Sequence, residues 1–142
     1  MRKIVPVVVA VAALVSAAHV WADQPARSFQ GYWMGIDPVD GGDARRSFLA
    51  QSDGTFAMIG RDTVFSLCDS TDRGVATFTD GTVTGRNQLA SDNLAIRCFN
   101  TSASVVLKVR FAMTDANTMI ETATLQDGTP VSIIVLHRVS EQ

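Results

Sequence analysis

Few side chains in this chain could do covalent or acid–base chemistry. Cys68 and Cys98 are its two cysteines and His19 and His137 its two histidines, while serine and aspartate are common. A Ser-His-Asp arrangement is formally available. However, His137 stands inside the most apolar of the expected strands, Val131 to Val139, and no G-x-S-x-G turn presents a serine. His137 therefore reads as a satisfied wall residue. With the cysteines paired to each other, zinc has too few ligands. No catalytic residue, metal or cofactor is expected, and the chain does not read as an enzyme.

The densest polar run is Asp37-Pro38-Val39-Asp40-Gly41-Gly42-Asp43-Ala44, followed by Arg45-Arg46. Three carboxylates on one loop could offer oxygen to a calcium ion, but their spacing does not match an EF-hand and the adjacent arginines compete for them. A solvated connection with local Asp–Arg pairing is expected, because Pro, Gly and Asp are the residues such loops need. Asn100-Thr101-Ser102 fits the glycosylation pattern, which matters only in a eukaryotic secretory route.

The compartment is written at the start of the chain. Arg2 and Lys3 precede an uncharged run from Ile4 to Val15, and Val20-Trp21-Ala22 has the small-residue form of a cleavage site. The run is shorter than the ~20 residues that span a bilayer, so residues 1–22 are expected to be a removed export signal and not a stable membrane anchor. The protein is expected in a periplasmic or secreted location. In an oxidising compartment an even cysteine count favours a Cys68–Cys98 disulfide, which would contribute roughly 3–4 kcal/mol. Cleavage would remove two of the twelve basic residues and none of the fourteen acidic ones, making the chain more acidic than its net charge of −2. Nucleic acid is excluded as an expected partner.

The remaining residues 23–142 suffice for one domain. Acidic residues are almost all Asp and basic ones almost all Arg, which favours strands joined by tight turns over helices. Asp-Gly-Thr occurs at Asp53, Asp80 and Asp127, each time between runs rich in Val, Ile, Thr and Phe, as expected of type I′ hairpin turns. The clearest strand is Ser104 to Met113, where Val105, Leu107, Val109, Phe111 and Met113 share one face and Lys108 and Arg110 the other. Further strands are expected at Gly31–Ile36, Arg45–Gln51, Thr55–Gly60, Thr63–Cys68, Gly74–Thr79, Thr82–Leu89, Asn93–Phe99, Met119–Leu125 and Val131–Val139. The pattern predicts an all-β fold, an antiparallel up-and-down barrel of about 8–10 strands, with a β-sandwich as the alternative. Two strands then separate Cys68 from Cys98 and set them at opposite ends of the sheet, so the disulfide requires that a strand be misassigned or that the hairpin turning at Asp80-Gly81 depart from the barrel wall.

Gly31-Tyr32-Trp33 at the first strand resembles the G-x-W signature of lipocalins and related calycin barrels. The resemblance implies that Trp33 closes one end of the barrel with Arg138 from the last strand packed across it. A guanidinium over an indole gains cation–π attraction. The Thr-Asp-Tyr motif of many lipocalins is missing, since Thr79-Asp80 runs into Gly81. Avidin-like barrels share the opening and a pattern similar to Gly54-Thr55-Phe56, but their pockets need more aromatic walls than this chain supplies. Exported bacterial inhibitors of metalloproteases also look similar, and by that resemblance residues 23–30 would be an arm that enters a protease cleft.

The function expected from these residues is non-enzymatic binding of a small apolar molecule inside the barrel, lined by Trp33, Val105, Leu107, Val109 and Phe111. The alternatives are a secreted protease inhibitor or other protein-binding module, or a structural envelope protein. The volume left inside the barrel separates the first from the rest.

Overall fold

The computed structural model describes residues 29–68 and 73–141. The expected signal segment, the cleavage site and residues 23–28 of the candidate arm lie outside the described residues. Eight strands follow one another: β1 (Gly31–Ile36), β2 (Asp43–Ala50), β3 (Phe56–Asp62), β4 (Gly74–Gly85), β5 (Gln88–Cys98), β6 (Ser104–Asp115), β7 (Thr118–Thr124) and β8 (Pro130–Ser140). Each pairs antiparallel with its neighbours in sequence, and β1 also pairs with β8, so the sheet closes into a barrel. Closure removes every free edge, which a sandwich of the same strands would leave exposed. Among the described residues no helix is long and apolar enough to cross a membrane.

Period-two alternation decides what fills the barrel. On β6, Leu107, Val109, Phe111 and Met113 are buried, while Val106 and Arg110, on the opposite face, are exposed. Phe48, Phe78 and Phe111 meet across the interior, with ring centroids 4.9 Å apart for Phe48–Phe111 and 6.2 Å for Phe78–Phe111. Register shifts in the β3–β4, β5–β6 and β1–β8 ladders bend the strands around this filling.

Two of the three Asp-Gly-Thr sequences turn the chain, though not as type I′ turns. Gly54 N donates to Gln51 O, Gln51 N donates to Thr55 O, and Gly54 has a φ of +84°. Leu125, Gly128 and Thr129 repeat the pattern, with Gly128 at +92°. These are three-residue loops whose glycine takes the left-handed position, and Asp53 and Asp127 each accept the N–H of the following Thr two residues on.

The third copy does not turn. β4 continues through Asp80-Gly81, with a register shift against β3 there, and the hairpin comes at Arg86-Asn87. Asp80 instead accepts hydrogen bonds across the sheet from Ser91 Oγ at 2.6 Å and from Asn93 Nδ2. Phe78 and Phe56 pack over Gly81, so a Cβ there would lie 2.5 Å from Phe78 Cε2. The expected strand Thr82–Leu89 is therefore the end of β4, a turn and the start of β5.

Thr63–Cys68 is not a strand either. β3 pairs directly with β4, leaving this segment without a partner, and Ser66–Cys68 forms one 3₁₀ turn in the connection. Ten expected strands thus become eight. Both corrections remove the obstacle to the disulfide: Cys68 in the β3–β4 connection and Cys98 at the end of β5 lie at the same end of the barrel, bonded, with Cα atoms 5.6 Å apart.

Candidate functional site

The two ends of the lumen differ, and each is organised by one arginine. At the end where β1 begins, Trp33 is fully buried and the Arg138 guanidinium carbon lies 4.1 Å from its ring centre. The placement follows from register, since Trp33 and Arg138 are direct partners across the β1–β8 seam. Trp33 Nε1 donates to Phe29 O at 3.0 Å, while Arg138 donates to Gln30 O at 2.6 Å and to Ala116 O at 2.9 Å. The segment before β1 and the β6–β7 turn are thereby tied to the last strand. Burial pulls the Arg138 guanidinium below its ordinary pKa, with Glu141 acting in the opposite direction. Phe29 is itself fully buried and meets Phe56 edge-on at 6.0 Å. Phe29 and Gln30, the last two residues of the candidate arm 23–30, are therefore parts of the barrel end.

Towards the other end the lumen is charged. Arg46 on β2 points inward, 2 % exposed, between Asp62 of β3 and Glu121 of β7, which are 6 % and 2 % exposed. Its Nε donates to Glu121 Oε2 at 2.7 Å and its Nη2 to Glu121 Oε1 at 3.0 Å. Both terminal nitrogens also reach Asp62, Nη2 at 3.2 Å, and Nη1 donates in addition to Arg45 O at 2.9 Å. All donors of the planar fork are used, as a buried guanidinium requires. Burial works against the charge on Arg46, but Glu121 and Asp62 outweigh it and push the guanidinium above its ordinary value. Gly60 makes the room: a Cβ there would lie 2.9 Å from Arg46 Cδ.

This group was missed in the sequence, where Arg45-Arg46 was assigned to loop carboxylates. Only Arg45 behaves so, pairing with Asp43 at 3.6 Å on the surface. The loop is also less solvated than expected. Asp37 is 8 % exposed, and burial raises its pKa against the lowering by the hydrogen bond from Val39 N. Asp40 accepts from Gly42 N and Ser66 N. A signal for the buried group was present: Arg46 is in phase with Ala44 and Phe48, Asp62 with Phe56 and Met58, and Glu121 with Met119 and Ala123.

Of the candidate pocket residues, Leu107, Val109 and Phe111 face inward and are buried, and Val105 is half-buried against the same core. They pack against other side chains. The lumenal cavity beside Arg46, Asp62 and Glu121 has a volume of about 20 Å³, the room of a single water molecule. His137 faces outward, exposed, between Thr118 and Met34 on the flanking strands.

No protein-family model matches the chain, and no curated protein matches it. Among solved structures it is similar to a redesigned β-barrel, with a TM-score of 0.59 and 13 % identity over 82 % of this chain and 96 % of that one. The class of protein is thus a small closed antiparallel barrel of eight strands. At that identity the likeness concerns the fold alone.

Proposed function

We propose that this is an exported, non-catalytic barrel that binds a protein partner through its outer surface, and not a carrier of an apolar molecule in its lumen. The observation behind this reading is how closely the described residues pack inside the barrel. A ligand site ordinarily offers ~300–1,000 Å³, against the cavity of about 20 Å³ beside a fully bonded arginine. An apolar guest would have to displace Phe48, Phe78 and Phe111 or break the bonds of Arg46.

The outer wall, by contrast, carries apolar side chains where they touch no core. Ile36 on β1 and Ile133 and Val135 on β8 are 63 %, 56 % and 46 % exposed across the seam. Ile120 of β7 stands directly opposite Val135. Scattered exposed hydrophobics are ordinary, but adjoining ones on neighbouring strands are the usual mark of a contact surface. Export is supported by the character of residues 1–22 and by the Cys68–Cys98 bond. The Trp33–Arg138 stack supports a calycin-type kinship. An arm of the inhibitor kind would consist of residues before Phe29.

Native mass spectrometry of protein taken from the exported fraction tests the lumenal half of the reading, with the polypeptide mass alone expected. A stoichiometric apolar adduct overturns it. For the surface half, Ile133→Asp/Val135→Asp is expected to melt cooperatively near the wild-type temperature and to lose any partner that the wild type retains in stoichiometric amount. Unchanged retention of that partner rejects this face.

A further inference from the structure

A second surface feature stands apart from the lumen and from the apolar seam. On the outer wall, Arg45 of β2 faces Arg61 of β3, Arg61 faces Val75 of β4, and Val75 faces Arg97 of β5. Register partners project to the same side of a sheet, so the three arginines form one row across four strands. Arg73 stands immediately before β4, and its carbonyl accepts the N–H of Phe99 at 2.8 Å. Four of the chain's twelve basic residues thus gather on one face of a protein whose net charge is −2.

Nothing among the described residues neutralises most of this charge. Arg45 has Asp43 at 3.6 Å, with both side chains 47 % exposed, and such a pair is weak. Arg61, Arg73 and Arg97 have no carboxylate within 4.0 Å among the described residues. Asp62 also lines the feature, but its carboxylate is already held by Arg46. Asp69 and Asp72 of the β3–β4 connection fall outside the described residues. Like charges directly opposite each other on adjacent strands destabilise a sheet. Arg45 opposite Arg61 is such a pair.

The row borders a cleft of about 210 Å³ lined by Arg45, Arg61, Arg73, Thr63 and Phe99. Phe99 is 60 % exposed at its rim. Guanidinium forks match the oxygens of a tetrahedral oxyanion two at a time, and an exposed ring beside them offers an apolar plane.

We propose that this cleft binds a phosphate ester, with Arg45, Arg61 and Arg73 on the phosphate and Phe99 against the apolar part of the molecule. Several guanidiniums within reach of one cleft favour a doubly charged group over a carboxylate, and the exposed ring favours an ester over inorganic phosphate. The same chemistry occurs in a phosphorylated lipid headgroup and in a free phosphorylated metabolite.

Titration of the full chain with phenyl phosphate, followed by amide NMR, tests the site. Saturable shifts centred on Arg61, Arg73, Gly74 and Phe99 are expected, with inorganic phosphate binding more weakly and phenol not at all. Arg61→Gln/Arg73→Gln is expected to weaken binding at least tenfold at a melting temperature no lower than that of the wild type, since both side chains are exposed and the Arg45–Arg61 repulsion is relieved. Phe99→Ala is expected to abolish the preference for phenyl phosphate over inorganic phosphate. Sedimentation with phosphatidylcholine vesicles containing phosphatidic acid, but not with phosphatidylcholine alone, assigns the site to a headgroup; phenyl phosphate binding without sedimentation assigns it to a free ester. Absence of saturable shifts, or binding that survives in Arg61→Gln/Arg73→Gln, overturns the proposal.

Discussion

The barrel uses an inward arginine at each end of its lumen, and the two are held in different ways. Arg138 lies over an indole and bonds to backbone carbonyls of Gln30 and Ala116. Arg46 is clasped by Asp62 and Glu121, both as buried as itself. Its removal strands two carboxylates in the core. The stack fastens chain segments that would otherwise fray, whereas the ion group requires all its members at once. Each arginine also restricts a neighbouring glycine, since a Cβ at Gly60 would lie 2.9 Å from Arg46 Cδ and one at Gly31 would lie 3.1 Å from Arg138 Nη1.

This comparison can be broken most sharply at Arg46. Arg46→Met is expected to cost about 3–5 kcal/mol in denaturant unfolding, the scale for leaving buried charges uncompensated. The triple variant Arg46→Met/Asp62→Leu/Glu121→Leu is expected to recover most of that loss. If the single and triple variants were equally unstable, the dependence of each partner on the others would be refuted.

The stack predicts a smaller and more separable effect. Arg138→Ala is expected to cost about 1–3 kcal/mol, from lost cation–π attraction and hydrogen bonds to backbone. A double-mutant cycle with Trp33→Ala should give a coupling of about 0.5–1 kcal/mol. A coupling as large as that of the Arg46–Glu121 cycle would erase the distinction between the ends.

The smallest effect concerns two aspartates with the same local bonding, one at each end. Asp37 Oδ1 accepts Val39 N and Asp115 Oδ1 accepts Asn117 N, each at 2.8 Å. Burial dominates at Asp37 and raises its pKa, while at exposed Asp115 the hydrogen bond from Asn117 dominates and lowers it. The raised group favours folding when protonated, so its contribution is lost as pH rises through its folded value. The lowered group favours folding when ionised, so its contribution is lost as pH falls below the ordinary carboxylate range. Relative to wild type, Asp37→Asn should gain stability at neutral pH and Asp115→Asn should lose it, both differences shrinking towards acid. Equal signs in pH-dependent thermal melts would contradict this account.

Much of the wall was legible because a strand half-buried in a barrel advertises itself by alternation. β1, β6 and β8 lie within about one or two residues of their expected bounds, and the Trp33–Arg138 proximity follows a motif with a defined partner strand. The errors fell where a local signal had two physical outcomes. Asp-Gly-Thr turns the chain at Asp53 and Asp127, but at Asp80 the carboxylate is taken by Ser91 and Asn93 from the neighbouring strand and the chain runs on. Thr63–Cys68 has strand-like composition, but β4 already occupies the edge of β3 to which it would have paired.

The chain by itself determined an export-like beginning, a strand-rich domain, an even pair of cysteines and the alternation that separates inside from outside. These depend on composition and on a period of two, both of which survive without knowledge of partners. Tertiary structure alone decided that Arg46, Asp62 and Glu121 meet, that the lumenal cavity beside them is only about 20 Å³, and that Arg45, Arg61 and Arg97 line up in one row. Those facts depend on which residues stand opposite one another across the barrel. Register is a property of the closed sheet, because each ladder must agree with its neighbours all the way round.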